Sequence, residues 1–168
     1  AIEDGLVKCH IDNTGGGLIK RKKSVNVPDT DFPNLLALTE KDKRYIHWAA
    51  QNPEIDYVIH SFVRNKQDVL NIQEILDQYD TDCGIIAKIE NLDGVKNTLN
   101  GEILDVVDGI MVARGDLAVE VPAPQVPIVQ KQMIKKCLER GIFTMVATQA
   151  LHTMIESPRP TRAEASDV

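Results

Sequence analysis

The sequence predicts an α/β fold in which strands alternate with helices, and three observations carry that expectation. Apolar runs of strand length occur at 55–62 (IDYVIHSF), 83–90 (CGIIAKIE), 108–113 (DGIMVA) and 142–149 (IFTMVATQ). The stretches between them repeat their apolar residues at helical spacing. The runs are apolar throughout rather than alternating, which is the pattern of parallel strands in a sheet covered on both faces. Ser61, Lys88, Asp116 and Thr148 mark successive strand ends at intervals of 27, 28 and 32 residues, one strand and one helix per step. This spacing fits a closed eight-stranded barrel or an open doubly wound sheet. A closed barrel takes about 250 residues, and the 168 residues here supply about half of its strands.

The elements follow in chain order. Residues 1–28 read as a small β piece: Val7, Cys9 and Ile11 share a face, NTGGG (13–17) is a turn, and LIKRKKSVNVP is a return strand. The rhythm changes at Thr39, an N-cap with Asp42 three residues on. The helix it starts buries Ile46, Ala49 and Ala50 and stops before Pro53. A second helix, 65–79, carries Val69, Ile72, Leu76 and Tyr79 on one side. The segment 94–107 is helical but weakened by Gly101. A helix over 124–140 lines up Val126, Val129, Met133 and Cys137 and ends at Gly141. Near the C-terminus Thr161 and Glu164 form the pattern of a capping box, so a further helix is announced there. With Ala1 rather than Met at the start, this pattern leads to the expectation that the sequence is a piece of a longer protein.

Composition narrows the function classes. The chain is 43% hydrophobic and 26% charged, a globular balance. Its net charge of −6 argues against a nucleic-acid binder, and the basic cluster Lys20–Lys23 reads as a solvated hairpin strand. No apolar run reaches the 18 or so residues of a membrane span. No basic segment leads into an apolar one at the N-terminus, so a cytoplasmic setting is expected. Three widely spaced cysteines without a CxxC pattern read as reduced thiols, and the four histidines show no metal-ligand spacing.

The candidate chemistry sits at the strand ends. Lys88 and Glu90 are two residues apart on one strand and therefore share a face. Two charges buried in an apolar strand are costly unless they pair or bind an ion. Their place at the C-terminal end of a parallel strand favours a functional role, because α/β active sites gather there. The next strand runs into MVARGDLAVEVP (111–122), where Arg114-Gly115-Asp116 forms a turn. Gly115 permits close backbone approach, and the amides of Gly115 and Asp116 suit a carboxylate if a helical turn starts there. Two carboxylates, Glu90 and Asp116, with substrate oxygens and waters are the usual means of holding Mg²⁺. Thr148 adds a hydroxyl at the same rim. This set suits an anionic, metal-bridged substrate and phosphoryl transfer, which is mostly positioning and charge neutralisation. Neither GxxxxGK[ST] nor GxGxxG is present.

Several stretches together, VNVP, LTEKDK, SFVR, AKIENLDGVKN, DGIMVARGDLAVEVP and VATQALHTMIESPRPTRAEASDV, resemble the pyruvate kinase family in order and spacing. The resemblance covers nearly the whole chain. It implies a partial (β/α)₈ barrel of about four βα units. Residues 1–28 correspond to the end of the inserted lid domain, and 29–168 to the middle of the catalytic barrel. It further implies transfer of a phosphoryl group from phosphoenolpyruvate to ADP, giving pyruvate and ATP, with Mg²⁺ and K⁺, in a homo-oligomer without nucleic-acid or membrane partners. By the same resemblance Lys88 stabilises the transferring phosphoryl group, and Glu90 and Asp116 hold Mg²⁺. Gly115 and Asp116 donate to the substrate carboxylate, Thr148 lies beside that carboxylate and the methylene carbon, and Ser61 lies near the K⁺ region. The family usually has Gly at Ala118 and Met at Ala150, and His152-Thr153 also departs from its pattern. The expectation is that these 168 residues alone are inactive. Two alternatives are a Mg²⁺-dependent aldolase or lyase of a related barrel, and a non-catalytic half barrel that associates with itself.

Overall fold

Four parallel strands run side by side in the order in which the chain makes them. The computed structural model describes residues 2–3, 5–10, 12, 15, 21, 25–27, 30 and 35–168. Strands β1 (Ile2–Glu3) and β2 (Leu6–Val7) form a short antiparallel ladder with Gly5 at φ +76° between them. Helix α1 (Glu40–Ala50) follows, then β3 (Tyr57–His60), α2 (Lys66–Leu76), β4 (Gly84–Ile89) and α3 (Leu92–Leu99). The chain continues through β5 (Gly109–Ala113), α4 (Arg114–Glu120), α5 (Val126–Arg140), β6 (Phe143–Ala147) and α6 (Arg162–Asp167). The predicted alternation of strand and helix is therefore present, with a short α4 inserted.

Local chemistry explains the boundaries. Thr39 and Asp42 complete a reciprocal capping box at α1. Asn65 caps α2 by accepting the Asp68 amide, and Asn91 caps α3 by accepting the Gly94 amide at 2.7 Å. Helix α3 thus begins two residues before the predicted start. It also stops at Leu99 rather than 107, because Gly101 takes φ +96° and only one 3₁₀ turn, Ile103–Asp105, follows. Gly141 closes α5 at φ +68°. Thr161 and Glu164 form the expected box at α6. In the N-terminal β piece the ladder is shorter than predicted: Cys9 lies outside it and residues 25–27 are not strand. Apart from Gly15, the predicted turn at 13–17 falls outside the described residues, as does most of the return strand.

The sheet has two unlike faces. On β4, Ile85, Ala87 and Ile89 join Ile110 and Val112 of β5 in the main core, beneath Val69, Ile72 and Leu76 of α2 and Met133 and Cys137 of α5. The other face carries Tyr57, Ile59, Gly84, Ile86, Lys88, Gly109, Met111, Phe143 and Met145, as the register dictates. Here Tyr57, Ile59 and Phe143 are 50%, 45% and 53% exposed. Helices therefore cover one face, not both as the apolar runs suggested. The uncovered face is the one that a closed barrel packs against its own far strands, so its strands are apolar on both sides without a second helix layer. Two glycines on this face lie directly opposite aromatic residues, Gly84 against Tyr57 and Gly109 against Phe143. A β-carbon on either would come within about 3 Å of the facing ring.

Candidate active site

The C-terminal ends of β3 to β6 gather the sequence-predicted residues at one rim. Ile89 is level with Val112, and Ala113 with Ala147. Glu90, Gly115, Asp116 and Thr148 each follow within a few residues of those positions. Lys88 stands one row lower, level with Met111 and Met145 on the helix-free face.

Lys88 and Glu90 do share a face, and their side chains form an ion pair. Glu90 is fully buried and the Lys88 side chain is 27% exposed. The second Glu90 oxygen, Oε2, accepts the Phe62 amide at 2.8 Å. An ionised carboxylate offers about four lone-pair sites, so two remain after these contacts. Phe62 has φ +55° in the turn that follows β3. The same turn is fastened at Val63, whose amide donates to the Lys88 carbonyl and whose carbonyl accepts from Asn91 Nδ2. Asn97 Nδ2 donates to the next carbonyl, that of Arg64, at 2.7 Å. The exposed Ser61 is thereby held beside the Lys88–Glu90 pair through backbone contacts.

At the end of β5 the predicted Arg-Gly-Asp turn is the first turn of α4. Ala113 occupies its N-cap. Gly115 is exposed and faces Thr148: a β-carbon built on it would lie 3.9 Å from the Thr148 hydroxyl oxygen. Thr148 and Gln149 both adopt left-handed backbone, at φ +70° and +48°. Among the described residues no three His, Cys, Asp or Glu side chains converge on a metal position. Glu90 follows β4, and Asp116 lies in the first turn of α4 after the neighbouring strand β5. Two carboxylates are a donor set suited to a cation which keeps several waters and takes substrate oxygens, as Mg²⁺ does.

A model of the pyruvate kinase barrel domain matches residues 1–168. The chain belongs to the pyruvate kinase family. It is 51% identical to a pyruvate kinase of Clostridium perfringens, in an alignment covering 99% of this chain and 37% of that protein. It is 50% identical to one of Borreliella burgdorferi and 47% identical to one of Schizosaccharomyces pombe, again over 99% of the chain and 34% and 32% of those proteins. The chain thus spans about a third of the length of the curated relatives it matches. The four parallel strands and their helices are part of a pyruvate kinase barrel. No helix among the described residues is long and apolar enough to cross a membrane.

Sequence reasoning missed three contributors to this rim. The Phe62 amide carries no side-chain signal and emerges only from the fold. Asn91 is visible in retrospect as a capping residue directly after Glu90. Arg114 reads as part of a polar turn, yet its guanidinium is buried among the ends of β6, α5 and α6.

Proposed function

We propose that the protein carrying this chain transfers the phosphoryl group of phosphoenolpyruvate to ADP. A terminal phosphate oxygen of ADP bonds to phosphorus as the bond from phosphorus to the enol oxygen breaks. The enolate then takes a proton at its methylene carbon and becomes pyruvate. The observation that carries this reading is the buried Lys88–Glu90 pair at a strand end, with Asp116 and Thr148 at the ends of the next two strands, in a chain of this family.

Each residue has a role suited to its surroundings. Lys88 brings an ammonium to this rim, partly open to solvent, where it offsets the charge spread over the phosphoryl oxygens. Glu90 has acceptor capacity left after Lys88 and Phe62, and with Asp116 it would hold Mg²⁺. When bound, that ion neutralises phosphate charge and fixes its oxygens in place. The first-turn amides of α4 at Gly115 and Asp116, with the Thr148 hydroxyl, suit the substrate carboxylate. Ser61, in the turn after β3, is assigned to the K⁺ region by its match to the family pattern. The helix-covered barrel portion, 29–168, is read as catalytic domain, and 1–28 as the end of a lid domain.

The proposal extends to a cytoplasmic homo-oligomer, with phosphoenolpyruvate and ADP as its small-molecule partners. The 168 residues by themselves are proposed to be inactive. Their exposed apolar sheet face favours association in solution over a compact monomer. A coupled assay for pyruvate formed from phosphoenolpyruvate and ADP, with and without Mg²⁺ and K⁺, tests the reaction. Absence of ADP-dependent pyruvate release by the protein carrying this chain would overturn it.

A further inference from the structure

Arg114 lies outside the set of residues given a chemical role, yet it is only 9% exposed and every side of its guanidinium is engaged. Nε donates to the Ala147 carbonyl at 3.3 Å and Nη2 to the Thr148 carbonyl. Nη1 donates to the Asp167 carboxylate and reaches Gln130 Oε1 at 3.5 Å. Gln130 in turn donates through Nε2 to the Asp167 carbonyl at 3.0 Å, and Lys131 donates to the Ser166 carbonyl at 3.2 Å. One side chain thus joins the start of α4, the end of β6, α5 and the end of α6.

The backbone it grips is unusual. Thr148 and Gln149 occupy the left-handed region, which costs a non-glycine residue, and above all a β-branched one, unless its surroundings enforce it. Two adjacent carbonyls, those of Ala147 and Thr148, are bound by two nitrogens of the same planar fork. That arrangement fixes the orientation of the peptide between them. A flexible ammonium is a point charge and lacks such a fork. Thr148 is also the residue whose side chain faces Gly115, the immediate neighbour of Arg114.

We infer that Arg114 is a positioning residue: through the Ala147 and Thr148 carbonyls it presets Thr148 against the first turn of α4. Asp167 holds the guanidinium in place and so links the docking of α6 to the shape of the carboxylate subsite. This rests on the proposed pyruvate kinase reaction for its kinetic consequence, and on geometry alone for its structural one.

The test uses the protein carrying this chain, with Arg114→Met, Arg114→Lys, Asp167→Asn, and Arg114→Lys combined with Gln149→Gly. The expected result is a rise of at least tenfold in KM for phosphoenolpyruvate in both Arg114 variants. KM for ADP should stay within twofold, and kcat should change less than KM. Asp167→Asn should show the same pattern with a smaller rise. Crystal structures of the variants should show Thr148 and Gln149 leaving the left-handed region. Glycine at 149 relieves the backbone cost and should restore part of the affinity lost in Arg114→Lys, which a purely electrostatic role would not allow. Unchanged backbone at Thr148 in Arg114→Lys, or no rescue by glycine, would overturn the inference. Should Arg114→Met fail to fold, Arg114→Lys and Asp167→Asn still decide it. A parent protein with no pyruvate-forming activity would sink the proposed reaction, while the backbone conformation would still rule on Arg114.

Discussion

Two ion pairs, each with one buried partner, stand near the same rim of the sheet, and they are built in opposite ways. Lys88–Glu90 joins a compact ammonium to a carboxylate that retains unused acceptor sites, with the lysine side chain partly open to solvent. Arg114–Asp167 joins a planar fork to a carboxylate, two carbonyls and an amide oxygen, and leaves little to spare. Burying any pair costs desolvation energy that its mutual attraction only partly returns. The first pair leaves acceptor sites on Glu90 unused. The second spends its capacity on backbone shape. If the proposed reaction holds, residual hydrogen-bonding capacity, more than burial itself, separates the reactive pair from the scaffolding one.

The strongest way to break this comparison is Lys88→Met. If the pair is reactive, kcat falls about 10²- to 10³-fold, the scale for loss of one transition-state donor, while circular dichroism shows the fold retained. A fall under tenfold would move Lys88 into the scaffolding class. Next, Arg114→Met should cost about 2 kcal/mol of stability in urea unfolding, chiefly because the Ala147 and Thr148 carbonyls lose this partner, while Asp167, 35% exposed, can turn to water. A cost under about 1 kcal/mol would mean that the second pair scaffolds nothing.

A smaller effect tests the attachment of α6. Glu164 accepts hydrogen bonds from Thr153 and Thr161, and these hold its carboxyl well below the usual range, at about 2. A carboxyl whose folded pKa is depressed gives stability that is present above its ordinary value of 4.5 and lost as pH falls toward 2. Protection factors in α6, taken against the intrinsic exchange rate at each pH, should therefore fall across that window, and Thr161→Ala should lower them at neutral pH by loss of a cap of about 1 kcal/mol. The smallest effect concerns His60, on the helix-facing side of β3. Burial pushes its pKa below the ordinary 6.5, against the opposing pull of Asp68 and Asp42. The unfolded chain then binds the proton more readily, so stability declines as pH drops below 6.5. His60→Gln should flatten that decline in thermal melts.

The sequence shows much of this design and hides a specific part. The strands were legible because each is a short apolar run between good helix starts. The Lys88–Glu90 contact was legible because side chains two apart on a strand must share a face. Asp116 and Thr148 were legible as polar residues placed at or just past the ends of apolar strand runs. Coverage of the sheet was misread, because an apolar run looks the same under helices as it does inside a barrel. Arg114 was not legible as a buried group, since its partners are mostly backbone carbonyls and residues 16 and 53 positions further along. Main-chain acceptors leave no residue-type signal. The positive φ at Phe62 and Thr148 was hidden for the same reason, because neither residue type advertises it.

The glycines opposite aromatic rings on the helix-free face carry a consequence for variation among related chains. Tyr57 fills the space above Gly84, and Phe143 fills that above Gly109. In each couple the ring occupies the volume that the glycine leaves empty. A larger residue at 84 or 109 is tolerated only when the ring shrinks, and loss of a ring opens a gap unless the glycine grows. Positions 57 with 84, and 109 with 143, should therefore change together across the family. Each couple is one volume divided between two strands.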